Sequence, residues 1–322
     1  MNKIKLAYFG APEFAADVLQ MIIDDTDLPV ELKFVVTQPD RKAGRDQTLT
    51  PTPVKLLAKK HNIPVIDDFR HLDLQTFRLK EIDLVLLYAF GELIPAKMLA
   101  LPKWGFWNIH PSLLPQYRGP SPITYPLLLG DKKTGVSLIQ MDERMDHGQI
   151  ITQEEYLIQN EDTQEILKKR LSRIGYKLFK ESVQLLIDGA LQKREQAHLK
   201  ATFTRLLTKQ DGYLPFPLVQ KIHHGESLTN EEIPPIVTDY FIKNKFPTPY
   251  PLLPTPYFSL FRAFSSWPGL WTLLPNGKRL KITGMTLLPT TTHNLQPTIT
   301  HVQLEGKKEV DFDTFQKAYH LL

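Results

Sequence analysis

Asn108-Ile109-His110-Pro111-Ser112-Leu113-Leu114-Pro115-Gln116-Tyr117-Arg118-Gly119 follows a short apolar run, Gly105-Phe106-Trp107, that reads as the end of a buried strand. Side chains alternate along a strand, so Asn108 and His110 project from one face while Ile109 points the other way. Pro111 breaks the run, and the chain turns through Pro115 and Gly119, as it does on leaving a sheet edge. An amide donor and a titratable imidazole therefore stand side by side at the mouth of a sheet. In open α/β sheets, ligands bind outside the carboxyl ends of the strands. A later turn, Asp142-Glu143-Arg144-Met145-Asp146-His147-Gly148, brings a carboxylate, and Asp146 is the natural third member of the group.

The chain on either side fits an α/β sheet. Ile4-Lys5-Leu6-Ala7-Tyr8-Phe9 reads as a first buried strand, and Ala11-Pro12-Glu13 opens a helix with an early acid at its positive end. Phe14, Val18, Leu19, Ile22 and Ile23 give that helix an apolar stripe. Leu32–Val36 is a second strand, and the β-α-β unit implies a parallel sheet. Val65-Ile66 starts a third strand. Asp83–Phe90 is a fourth, nearly all apolar as a central parallel strand should be. Gly135–Met141 is a further strand, with Gln149–Glu155 as its hairpin arm. Asp162 with Glu165 three residues on reads as a capping-box start to a long helix ending near Ile187. No G-x-G-x-x-G occurs, so a dinucleotide fingerprint is missing.

The 322 residues suffice for two domains, and 42% apolar with 23% charged residues is ordinary for a globular protein. Cysteine is absent, which excludes disulfides and cysteine-built zinc sites. The apolar start is too short for a signal-peptide core or a membrane span, so a cytoplasmic protein without membrane contact is expected. Net charge is +4, and residues 201–322 hold 12 Lys/Arg against 9 Asp/Glu, a mild excess that suits an acidic partner such as RNA. In the polar loop Thr37–Arg45, the side chains of Arg41, Lys42 and Arg45 can grip phosphates, because guanidinium forks match phosphate oxygens.

Residues 214–256 contain nine of the 26 prolines and read as a punctuated insertion with one helix within 229–244. Short strands follow at Leu270–Leu273, Arg279–Met285 and Thr298–Leu304, spaced as in a small barrel. This stretch and the residues leading into it carry the cations Arg262, Lys278, Arg279, Lys281, Lys307 and Lys308.

The Asn108–Gly119 string, followed by Met141-Asp142-x-x-Met145-Asp146-x-Gly148, resembles the folate-dependent formyltransferases. The resemblance implies a Rossmann-like, mostly parallel catalytic domain over residues 1–205. A linker with the Pro-rich insertion then covers 206–256, and an OB-like β-barrel that binds tRNA covers 257–322. It implies 10-formyltetrahydrofolate as co-substrate, no metal, and Asn108, His110 and Asp146 as catalytic residues. It also assigns folate contacts to Phe90, Gly91, Glu92, Leu93 and Ile94, and to Ser112, Leu113, Leu114 and Pro115. Gln38-Pro39-Asp40-Arg41-x-x-Gly44-Arg45, followed by Pro51-x-Pro53-Val54-Lys55, looks like the loop that members acting on aminoacyl-tRNA wedge against the acceptor stem. Two departures stand out: Ala11 replaces the usual Thr of the first turn, and 214–256 has no counterpart.

The reaction so implied is attack of a primary amine on a formyl carbon. Asn108 and a protonated His110 would donate to the formyl oxygen as it gains charge. Asp146, through His110 or an ordered water, would carry the proton. The expected acceptor is the amino group of methionyl initiator tRNA, serving translation initiation, with the protein acting as a monomer. A small-molecule amine such as a nucleotide amino sugar is the alternative.

Overall fold

Leu84-Val85-Leu86-Leu87-Tyr88 is buried at all five positions, as a parallel strand covered on both faces must be. In the computed structural model this strand lies near the middle of a seven-stranded sheet. The structure describes residues 3–43, 47–69, 78–224, 226, 232–246, 256–289 and 295–319. The chain divides into two units. One comprises Met1–Pro122, Thr134–Leu157 and Lys168–Thr202, and the other Ile123–Lys133, Ile158–Leu167 and Phe203–Leu322.

The elements begin with β1 (Ile4–Gly10), α1 (Glu13–Asp24), β2 (Val30–Val36), β3 (Arg41–Ala43) and β4 (Thr48–Thr50). Next come α2 (Pro53–Lys60), β5 (Val65–Ile66), β6 (Leu84–Tyr88), α3 (Ala96–Leu99) and β7 (Phe106–His110). They continue with α4 (Thr124–Leu128), β8 (Lys133–Gln140), β9 (Ile150–Leu157) and α5 (Gln164–Ile187). The sheet order is β5-β2-β1-β6-β7-β8-β9, parallel from β5 through β7 and antiparallel where β8 joins β7. Strand order reverses beside β1, between its neighbours β2 and β6. Such a switch point leaves a crevice at the carboxyl ends of the strands, where ligands bind.

Strand β7 shows why the site faces as it does. Trp107 and Ile109 point toward α5: Trp107 meets Phe179 edge-on at 6.3 Å, and a Cβ on Gly175 would lie 2.6 Å from Cγ2 of Ile109. Glycine in a helix costs about 1 kcal/mol, but here it lets the helix seat on the strand. Phe106 points the other way and meets Phe9 at 5.5 Å. Phe9 and Phe90 (5.3 Å) and Phe69 and Phe90 (5.1 Å) extend that edge-to-face cluster, each pair contributing about 0.5–1.5 kcal/mol beyond its buried area. Asn108 and His110 continue the Phe106 face past the end of this core.

Several local expectations change. Arg41–Ala43 and Thr48–Thr50 pair as the antiparallel strands β3 and β4 of a β-hairpin, where an irregular polar loop was expected; residues 44–46 lie outside the described residues. Thr163 rather than Asp162 caps α5, its Oγ1 accepting the Ile166 N–H at 3.4 Å. Asp162 instead accepts the N–H of Gln159 at 2.7 Å and closes the preceding turn. In α1, Ala15 takes a fully buried place while Phe14 is only partly covered.

The second unit carries α6 (Phe216–His224), α7 (Pro235–Lys243), α8 (Pro256–Ala263), β10 (Leu270–Leu273), β11 (Arg279–Pro289), β12 (Leu295–Leu304), β13 (Glu309–Asp311) and α9 (Phe312–Tyr319). Two helices, α6 and α7, lie in the stretch read as a punctuated insertion with one. Their prolines sit at or before the first turn, where a missing N–H costs nothing. Much of the remainder, 227–231 and 247–255, lies outside the described residues. The four strands form one antiparallel sheet in chain order. Register shifts around Gly284 bulge β11, and bulges bend and twist a strand toward the curl of a barrel-like sheet. Strand β13 and helices α8 and α9 are too short to announce themselves by periodicity.

Candidate active site

Strand β7 ends at His110, one strand from the end of β6, with Leu87 paired to Asn108. The turn between β8 and β9 crosses this edge. It is held by Asp142, whose Oδ1 accepts the N–H of Arg144 at 2.9 Å and whose Oδ2 meets Nδ1 of His147 at 2.7 Å. The turn is tight: a Cβ on Gly148 would collide with the carbonyl oxygen of Gln140. Asp146 adopts a left-handed backbone, φ 51°, which aspartate tolerates better than most residues. That conformation turns its carboxylate toward β7.

The three side chains read from the sequence converge. Nδ2 of Asn108 donates to Oδ1 of Asp146 at 3.5 Å, and Nδ1 of His110 lies 3.4 Å from the same oxygen. Asn108 and His110 are 8% and 4% exposed, so these contacts form in a poorly solvated place. The other carboxylate oxygen, Oδ2, accepts the Gly119 N–H at 2.7 Å. On the far side of the imidazole, Nε2 lies 3.0 Å from the carbonyl of Tyr117. A carbonyl only accepts, so Nε2 carries a hydrogen and Nδ1 is the nitrogen that gains or loses a proton.

Burial pushes the His110 imidazole down, but the charge and hydrogen bond of Asp146 and the Tyr117 carbonyl outweigh it and hold the pKa above 6.5. Burial pushes Asp146 up. His110, the Gly119 N–H and Arg118 outweigh that and hold it below 3.8. Each group thus favours the charged form of the other. The arrangement can stabilise charge developing on a carbonyl oxygen and accept a proton at one place.

The remaining sequence-derived residues fall into three groups. In the segment after β6, the Phe90 side chain is 1% exposed and belongs to the aromatic core, and its carbonyl accepts from Nε2 of Gln38 at 2.8 Å. Gly91 has φ 76° and is exposed, Glu92 and Ile94 are half-buried, and Leu93 is 80% exposed. In Ser112–Pro115, Ser112 and Leu114 are buried and Leu113 and Pro115 half-buried, and the polar groups are engaged within the protein. Ser112 Oγ donates to the Gln116 carbonyl at 2.7 Å, Ser137 Oγ donates to the Ser112 carbonyl at 2.6 Å, and Nε2 of Gln153 donates to the Leu114 carbonyl at 2.8 Å. Leu113 lies against Gly135, where a Cβ would be 3.0 Å from its Cγ.

Arg41 and Lys42 are exposed on β3, away from the triad in sequence and on a separate two-stranded sheet. Arg45 lies outside the described residues. Asp40, at the foot of the hairpin, binds Nζ of Lys55 at 2.6 Å, and Lys55 also binds Asp67 at 2.5 Å. Among the described residues, no group of three or more His, Asp and Glu side chains is placed to hold a metal ion. No helix there is long and apolar enough to cross a membrane.

Residues that the sequence reading left without a role support the site. Gln196, Arg118 and His198 form a hydrogen-bonded group behind Asp146, and the His147 ring stacks on His198 at 4.0 Å, 5° from parallel. Gln196 lies fifty positions beyond Asp146, in coil without periodicity, so no local pattern links the two.

Residues 2–183 match the family described as formyl transferase. A methionyl-tRNA formyltransferase of Bacillus cytotoxicus is 32% identical over 306 residues, 94% of this chain and 85% of that protein. One of Bacillus cereus is 40% identical over 203 residues, 62% of this chain and 64% of that protein. Among solved structures, an N-formyltransferase from Helicobacter canadensis, in complex with folinic acid and dTDP-3-aminofucose, covers 92% of this chain and 98% of its own. Its TM-score is 0.59 and its identity 18%, a likeness of fold.

Proposed function

The chain belongs to the formyl transferase family, and from that premise we propose that it transfers the formyl group of 10-formyltetrahydrofolate to the amino group of methionyl initiator tRNA. The convergence of the Asn108 and His110 donors on Oδ1 of Asp146 carries this reading. When bound, 10-formyltetrahydrofolate supplies a formyl group on N10, an amide-like carbonyl that an amine can attack.

The residues fit this co-substrate. Among the described residues, the backbone N–H and C=O groups of Leu93 and Ile94 make no hydrogen bond, and the Leu93 side chain is 80% exposed. A flat pterin needs an apolar face and a row of donors and acceptors at its edge. The segment after β6 offers both, one strand from Asn108.

Each member of the triad has a distinct task. Asn108 donates through Nδ2 to the oxygen on which charge develops, and His110 donates through Nδ1. One such preorganised donor contributes roughly 2.7–4 kcal/mol, a factor of hundreds in rate. Both contacts to Asp146 are long here. Catalytic hydrogen bonds are often loose before substrate binds and tighten in the complex. Asp146 keeps Nδ1 of His110 protonated and takes up the proton that the amine must lose, directly or through water; that proton would pass to N10 as the bond between the formyl carbon and N10 breaks and tetrahydrofolate leaves.

Support for the RNA acceptor comes from the names of the relatives that align with the chain, and from the hairpin β3–β4, which exposes Arg41 and Lys42. In this reading residues 1–205 act as the catalytic domain, 206–256 as a linker, and 257–322 as an OB-like domain against the tRNA. The protein acts as a monomer in the cytoplasm, where initiator tRNA is charged. The test is to incubate it with charged initiator tRNA and 10-formyltetrahydrofolate, then hydrolyse the ester and weigh the released amino acid. N-formylmethionine is the expected product; unmodified methionine alone would refute the proposal.

A further inference from the structure

Gln196 is 4% exposed, and its amide uses all of its hydrogen-bonding capacity. Nε2 donates to the carbonyl of Asp146 at 2.9 Å and to the carbonyl of Gly148 at 2.8 Å. Oε1 accepts from Nε of Arg118 at 3.2 Å and from Nη2 of Arg118 at 2.6 Å. An amide has two donor hydrogens and two acceptor lone pairs, so none is left over.

These contacts close a ring around the carboxylate. The Gly119 N–H holds Oδ2 of Asp146 at 2.7 Å. Arg118, next in the chain, holds Gln196, and Gln196 holds the backbone carbonyl of Asp146. The carboxylate end and the main-chain end of one residue are therefore tied to the same two-residue stretch. Arg118 is itself fixed: it is 4% exposed, its N–H donates to the Thr202 carbonyl at 2.8 Å, and its Nη2 lies 2.8 Å from Nδ1 of His198. Asp146 has a left-handed backbone that extended alternatives compete with. Small rotations there would swing the carboxylate away from the point on which Asn108 and His110 converge.

We propose that Gln196, braced by Arg118, is a positioning residue for formyl transfer: its side-chain amide clamps the carbonyls of Asp146 and Gly148 and so fixes where the Asp146 carboxylate meets His110 and Asn108. This rests on the catalytic reading of Asp146 above. Gln196 does not touch the reacting atoms and acts only through Asp146. Its removal matters while that carboxylate is in use and ceases to matter once it is gone. A residue that merely supports the fold would cost the same in either background.

The experiment is a double-mutant cycle on formyl transfer to charged initiator tRNA with Q196L, D146N and the double variant, at saturating 10-formyltetrahydrofolate. Q196L is expected to lower kcat by about a hundredfold, the scale of a 1 Å misplacement, with KM for both substrates nearly unchanged. In the D146N background the same change is expected to cost less than about twofold, since residues that act as one unit are not additive. Equal losses in the two backgrounds would overturn the inference, as would full turnover by Q196L. Q196E keeps an acceptor for Arg118 but cannot donate to the two carbonyls, so it should lose kcat like Q196L. It serves in the same cycle if Q196L does not fold, and full turnover by it would also overturn the clamp. Wild-type turnover by D146N would sink the reading of Asp146 and the inference together. A crippled D146N with additive Q196L would sink the inference alone.

Discussion

Nδ1 of His110 lies 3.4 Å from Oδ1 of Asp146, with the two side chains only 5% and 12% exposed. The pair is asymmetric in its anchoring. His110 is held from behind by the Tyr117 carbonyl and Asp146 by the Gly119 N–H, so the facing atoms have little freedom except toward a ligand. Shared strand geometry explains the arrangement: Trp107 and Ile109 are taken up by α5, which leaves Asn108 and His110 for the opposite face.

Replacing His110 or Asp146 by Ala should reduce kcat by about 10²–10⁴-fold, the usual contribution of a positioned acid–base group. The secondary structure, followed by circular dichroism, should be retained. Turnover within a few-fold of wild type would contradict the assigned roles.

The same pair sets a pH window. His110 is held above 6.5, so the stability it contributes is fully present below that pH and is lost as pH rises through its folded value. Asp146 is held below 3.8, so its contribution is present above that pH and is lost as pH falls through its folded value. Chemical denaturation of wild type and D146N across pH should therefore show the largest difference between 3.8 and 6.5. For activity, kcat should fall on the alkaline side as Nδ1 deprotonates, and D146N should move that fall to lower pH. A stability difference independent of pH would argue against the ion pair.

Gly175→Ala places two effects in opposition. Alanine favours the helix by about 1 kcal/mol, but its Cβ would sit 2.6 Å from Cγ2 of Ile109, and overpacking costs about 1–3 kcal/mol. The steric clash should win because Ile109 belongs to a central strand whose backbone also carries Asn108 and His110. A lower melting temperature with reduced kcat is expected, and a more stable, fully active variant would contradict the packing described for β7.

The sequence made some of this legible and hid the rest for physical reasons. Alternation along Phe106–His110 put Asn108 and His110 on one face, and the long apolar run 84–88 announced a central parallel strand. Asp146 was reachable because its turn is short and acid-rich. Gln196 and Arg118 were not. A hydrogen bond between residues 78 positions apart leaves no periodic trace, and neither lies in an amphipathic element that would mark its inner side. Helix α6 was obscured by prolines, since a proline reads as a breaker unless its place in the first turn is known. The pairing of β3 with β4 depended on a cross-strand register that ten residues of polar sequence do not specify.

Arg41 and Lys42 on the exposed hairpin should contribute to affinity for RNA and little to the folate site. In R41A, KM for charged tRNA should rise while binding of the folate stays unchanged. The slope of log affinity against log salt should become shallower by roughly 0.7–0.9 for each phosphate that the variant no longer neutralises. An equal weakening of folate and tRNA, or an unchanged slope, would contradict the hairpin's role.

The most direct measurement is a partition experiment. Formyl-labelled 10-formyltetrahydrofolate is offered to the protein with charged initiator tRNA and a nucleotide amino sugar present together at equal concentration, and the label is followed. Label is expected on the methionyl group of the tRNA and none on the sugar. Label on the sugar, with the tRNA unmodified, would contradict formyl transfer to initiator tRNA.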